Sequence, residues 1–99
     1  MTRGTTPTLS FNFGEDFDYS LVEKAELTIR QNRKKIIYDL DKGEDCLFLD
    51  LDETDTLQYV EGFIELQIKL LLTNGKVVAT DIQKLFVKDI LNEETMNEG

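Results

Sequence analysis

The segment from Phe63 to Thr73 constrains the fold more than any other part of the chain. Ile64, Leu66, Ile68, Leu70 and Leu72 fall on every second position, with mostly polar residues between them. A period of two places all five on one side of an extended strand, and a helix would scatter them around its axis. A strand with one buried face needs a second layer to cover it, so the rest of the chain must supply strands or helices for that purpose.

It supplies strands. Thr8 to Phe13 alternates Leu9, Phe11 and Phe13 with Thr8, Ser10 and Asn12. Gly14-Glu15-Asp16 then breaks the pattern, and Phe17, Tyr19, Leu21 and Val22 lie in a connection that packs part of its side chains. Lys24 to Gln31 alternates again through Ala25, Leu27 and Ile29. Asn32-Arg33 reads as a turn, and Lys34 to Leu40 as the returning strand. There the adjacent Ile36 and Ile37 leave the inward face open. Asp41-Lys42-Gly43-Glu44 is the next turn, with Gly43 free to take positive φ. Cys46 to Leu51 follows, with Leu47, Leu49 and Leu51 on one face.

Between Asp52 and Gly62 the period changes. Asp52 or Thr54 is placed to cap a short helical turn near 53–61, with Gly62 as its stop. Asn74-Gly75 predicts a tight hairpin with a type I′ turn, which pairs Leu72 with Val77 and Leu70 with Ala79. That register carries Asp81 onto the buried face, so a bulge or break is expected between Ala79 and Gln83. Leu85 to Leu91 resumes as a last strand, or as a strand ending in a helical turn. The result is about seven short strands with no βαβ alternation, an all-β sandwich or barrel. Residues 1–91 form the single domain and 92–99 a flexible acidic tail.

Composition narrows the chemistry. In 99 residues there is no His and no Trp, one Cys and one Pro. His-based triads, Cys/His zinc sites and an internal disulfide are thereby excluded. Ser10 and Ser20 have no His or Lys partner at motif spacing, and the six glycines are isolated from one another, so no phosphate loop is present. Cys46 reads as a structural thiol. No cofactor is implied, and the chain is expected not to be an enzyme. The formal charge of −9 argues against binding nucleic acid or an anionic membrane surface. The densest basic group, Arg30, Arg33, Lys34 and Lys35, surrounds the first hairpin turn and reads as a solvated tip. Met1 to Pro7 has no apolar core of a secretory signal, and the expected location is the cytoplasm of a bacterial host, with association to a virion as an extension.

Two groups of residues carry functional expectations. From Asp39 to Asp55 there are eight carboxylates against the single cation Lys42. Asp50, Asp52 and Asp55 begin like a calcium loop, since hard cations want several oxygens. However, Asp55 stands where the loop needs Gly, and Leu57 and Val60 interrupt it. The alternative function is therefore a calcium- or ligand-binding module built on these carboxylates. The second group is apolar residues on faces that should be wet: Phe48, Phe63 and Leu71. If they fall together they form a protein-docking patch.

The opening Met1-Thr2-Arg3-Gly4-Thr5-Thr6-Pro7-Thr8-Leu9, followed by Phe11, Leu21-Val22, Ala25, Leu27, Ile29 and the Asn74-Gly75 hairpin, resembles a family of small prophage-encoded proteins of Gram-positive gut bacteria. It is also similar to the N-terminal β-sandwich domain of phage baseplate upper proteins. The resemblance spans residues 1–91 and implies an immunoglobulin-like sandwich within a phage structural or assembly module. It carries no catalytic residues. The receptor-binding portion of baseplate proteins has no counterpart here, so it implies a scaffold, adaptor or accessory role with phage structural proteins as partners. A further alternative is an acidic, phage-encoded regulator or inhibitor of a host protein.

Overall fold

A computed structural model describes residues 1–96. The chain is an all-β sandwich of two antiparallel sheets. The smaller sheet has the order β1-β5-β4, from β1 (Thr8–Phe11), β4 (Asp41–Lys42) and β5 (Leu47–Asp50). The larger sheet runs β3-β2-β6, from β3 (Lys34–Asp39), β2 (Val22–Gln31) and β6 (Gly62–Leu72). Along its far edge β6 pairs with β7 (Val77–Ala79) at one end and with β8 (Gln83–Val87) at the other.

β6 is the segment with the clearest alternation, and it forms the spine of the larger sheet. Ile64, Leu66, Ile68 and Leu70 are buried. They meet Ala25, Leu27 and Ile29 of β2 in the same layer, and Leu47 and Leu49 of the smaller sheet across it, with Leu51 just beyond β5. Leu27, Ile29, Leu47 and Ile64 are fully enclosed. Each such side chain contributes about 1.5–3 kcal/mol by leaving water. The side chains of Ile36 and Ile37 separate by parity: Ile36 packs against the core, and Ile37 points outward with 62% of its surface exposed.

The loops show which local rules prevailed. Asn32 takes φ 56° in the two-residue loop between Gln31 and Lys34, a conformation Asn tolerates better than most residues. The second hairpin departs from the type I′ expectation. The Gly75 N–H donates to the Leu72 carbonyl (2.9 Å), the Leu72 N–H donates to the Lys76 carbonyl (2.8 Å), and Gly75 alone takes positive φ, at 84°. This is the longer loop built on a turn followed by a left-handed glycine. It shifts the register by one, so Leu71 faces Val77 and Leu70 faces Val78. The expected break after Ala79 is present. The Thr80 N–H bonds to the Ile68 carbonyl, and its Oγ1 accepts from the Ile68 N–H, which closes β7 and leaves Asp81 exposed.

Gly43 is not at positive φ. A Cβ there would lie 3.0 Å from the Cys46 Sγ, so close approach of the two sides of the β4–β5 turn explains the glycine. The helical turn is α1 (Glu53–Leu57), capped by Asp52. It ends at Gln58, and Gly62 does not stop it but opens β6 at φ 134°.

Within 92–99, residues 97–99 lie outside the described part of the chain. Glu93 forms an ion pair with Arg3, and the Met96 N–H donates to Glu53 Oε2 (2.8 Å). No helix among the described residues is long and apolar enough to cross a membrane.

Candidate protein-binding surface

The outward positions of the larger sheet are fixed by the register of its strands. Alternation puts Phe63, Glu65, Gln67, Lys69 and Leu71 of β6 opposite in sense to the buried Ile64 series. Next to them lie Lys24, Glu26, Thr28 and Arg30 of β2 and Lys84 and Phe86 of β8. The middle of this face is a charge ladder. Arg30 pairs with Glu65 at 2.8 Å, Glu26 stands opposite Lys69, and Lys24 lies 3.8 Å from Glu26.

The two ends of the face are apolar. At one end Phe63 stands opposite Phe86, with ring centroids 5.2 Å apart and planes at 77°, an edge-to-face pair. Phe63 is 63% exposed and Phe86 40%. At the other end half-buried Leu71 stands opposite exposed Val77. Eight residues of strand separate Phe63 from Leu71, about 26 Å, so they do not touch one another.

Phe48 lies elsewhere. It points outward from the smaller sheet, between Ser10 and Asp41, on the opposite face of the sandwich, and is half-buried. The three wet-face residues therefore do not form one patch. Period two tells which way a side chain points relative to its own sheet, but not which of two sheets it belongs to. The structure replaces that grouping with the Phe63–Phe86 pair. Phe86 carries a sequence signal of its own, since it alternates with Leu85 and Val87.

The three calcium-loop candidates of the acidic segment, Asp50, Asp52 and Asp55, are engaged in structural hydrogen bonds. Asp52 accepts from the Asp55 N–H (2.7 Å) and from Thr54 Oγ1 (2.7 Å), while Asp55 Oδ2 accepts from the Asp52 N–H (3.0 Å). This reciprocal cap satisfies two amides at the start of α1. The Thr54 and Asp55 donors hold the Asp52 carboxyl below the usual range. Asp50 accepts from the Thr8 hydroxyl across the β1–β5 pairing. Among the described residues no three or more ligand-type side chains converge on a common point.

Arg3, which the sequence shows only as part of the opening motif and with no role assigned, ties the N-terminal segment to the segment after β8. Its guanidinium donates to the carbonyls of Tyr59 and Leu57 and pairs with Asp89 at 2.8 Å and with Glu93. Glu93 and then Asp89 raise its affinity for its proton. The same strap brings the Met1 ammonium to the Phe86 carbonyl (2.9 Å) and sets Thr2 beside Lys88 in a parallel bridge. The Phe63–Phe86 end is thus braced by the N-terminus. Inside, Tyr59 is fully buried, and its hydroxyl shares a 2.9 Å hydrogen bond with that of Tyr38.

The chain matches no family model, no curated protein and no solved structure.

Proposed function

We propose that this chain is a non-enzymatic protein-binding β-sandwich, a structural or accessory component of a phage particle or of its assembly, and that it docks through Phe63 and Phe86. The observation that carries the reading is the exposed edge-to-face pair on a fixed strand pairing. Two large rings stay partly open to water on an outer face whose other strand positions are largely charged, and aromatic residues of this kind anchor protein interfaces. Their placement on paired strands means little order is lost on binding. The charged ladder beside them supplies a polar rim, and the net charge of −9 favours a partner with a basic surface. The assignment to a phage module rests on the resemblance over residues 1–91. Docking of one protein on another requires no cofactor.

The test is a double substitution, Phe63→Ser with Phe86→Ser, introduced into the prophage of the bacterium that carries the gene. The expected result is loss of the chain from purified particles, or a fall in particle yield, with the purified variant still folded by circular dichroism. Unchanged particles that retain the variant at wild-type levels would remove the ring pair from the account.

A further inference from the structure

The outer edge of β3 carries a second observation, independent of the aromatic pair. β3 is the terminal strand of the larger sheet, so one of its sides is unpaired. The Leu40 N–H donates to the Ala25 carbonyl at 2.9 Å, which fixes the alternation of the ladder. Positions 34, 36 and 38 turn their backbone groups towards β2, and Lys35, Ile37 and Asp39 turn theirs away from it. Among the described residues no hydrogen bond takes up those outward N–H groups.

The side chains of the same three residues point to the outer face, where β2 offers them the wrong partners. Asp39 stands directly opposite Glu26, and Lys35 directly opposite Arg30. Both are non-hydrogen-bonded positions, at which cross-strand side chains come closest, so like charges there are unfavourable. Glu26 and Arg30 have compensating neighbours in Lys24 and Glu65. Lys35 and Asp39 form no ion pair among the described residues.

We propose that β3 pairs antiparallel with β3 of a second copy of this chain, about a two-fold axis through Ile37. In this register Ile37 faces Ile37 of the other copy, and Lys35 faces Asp39 twice. All three are positions with outward backbone groups, so each outward N–H of the two copies gains a carbonyl. Across the seam the outer face then reads Glu26, Asp39, Lys35, Arg30, two acids of one chain meeting two bases of the other, and the same row recurs in reverse order on the far side of the axis. The exposed Ile37 side chains meet at the centre. Backbone alternation, charge and the apolar residue all agree on one register. Strands with lysines at a free edge ordinarily resist such pairing, but here the same strand carries the aspartate that answers them.

Sedimentation velocity on the full chain, at rising concentration in low salt, tests this. The wild type is expected to shift from monomer to dimer. Asp39→Lys would weaken the dimer by about tenfold or more, because both cross-copy pairs become repulsive. This substitution changes the net charge from −9 to −7, so general repulsion falls, and a weaker dimer is therefore specific to the seam. Lys35→Asp combined with Asp39→Lys keeps the net charge at −9 and restores opposite charges across the seam, and with them the dimer. Ile37→Cys, placed in a Cys46→Ser background, would form a cross-linked dimer on oxidation. Val78→Cys in the same background, on the opposite edge of the sheet, would not. A wild type that stays monomeric at the highest concentration overturns the proposal, as does a dimer insensitive to Asp39→Lys.

Discussion

Ile64 and Phe63 are adjacent on β6 and lie on opposite faces of one sheet, so a pair of substitutions there separates core from surface within a single strand. Ile64 has no exposed surface. Replacing it with alanine removes three carbons at about 0.8 kcal/mol each and leaves a cavity between the sheets, for a total of about 3–4 kcal/mol. In a domain of this size that lowers the melting midpoint by roughly 12–30 °C. Phe63 is 63% exposed, so little more than a third of its surface is sheltered, and the Phe86 ring packs against it edge to face. Phe63→Ser therefore costs about 1–2 kcal/mol through lost partial burial and the ring pair. Urea unfolding followed by far-ultraviolet circular dichroism suits a chain with no Trp. The expected result is a midpoint shift for Ile64→Ala at least about 1.5 times that for Phe63→Ser, with similar slopes. Equal losses would mean that Phe63 is a core residue, and the docking surface would have no basis.

Three further outcomes follow from local geometry. Gly75→Ala meets no atom within 4 Å but forces a Cβ onto φ 84°, so it should destabilise by about 1–2 kcal/mol, seen as a lower melting midpoint. Burial first, and then the shared hydrogen bond, raise the Tyr59 hydroxyl well above the ordinary tyrosine range, and burial raises Tyr38 as well. An acid whose pKa is raised on folding contributes stability that is present below its unfolded pKa, about 10, and lost as pH climbs beyond it. Stability measured from pH 9 to 12 should therefore fall, and Tyr59→Phe should flatten that fall. Asp52 is shifted the other way, so its contribution is present above about pH 4 and lost as pH drops through its lowered folded pKa. Asp52→Ala should lower the midpoint at pH 7 and narrow its gap from wild type at pH 2.5.

Local periodicity made the sandwich legible. The alternation of Ile64 to Leu72 and of Ala25 to Ile29 reports one buried face directly, and Asp52 ahead of Thr54 and Asp55 marks the helical cap. The hairpin register was not legible in this way. Asn74-Gly75 suits a two-residue loop, but the glycine alone adopts positive φ, and the longer turn moves Val77 to the outer face beside Leu71. The docking surface was legible only in part. Phe63 is identified by its parity, whereas its partner Phe86 arrives through the β6–β8 pairing, and Phe48 is sent to the other face by membership of the smaller sheet. Sheet membership depends on contacts distant in sequence, which no local window contains. The edge seam has the same character, because the conflict of Asp39 with Glu26 and of Lys35 with Arg30 exists only once the β2–β3 register is known.

The central claim, a protein-binding role in a phage module, is tested most directly by quantitative mass spectrometry of purified particles induced from the bacterium that carries the gene. The account predicts this chain at a fixed copy number relative to a tail or capsid protein, or bound to such a protein in the lysate as an assembly factor. Particles that lack it, with the chain in the lysate bound to no phage structural protein, would contradict it.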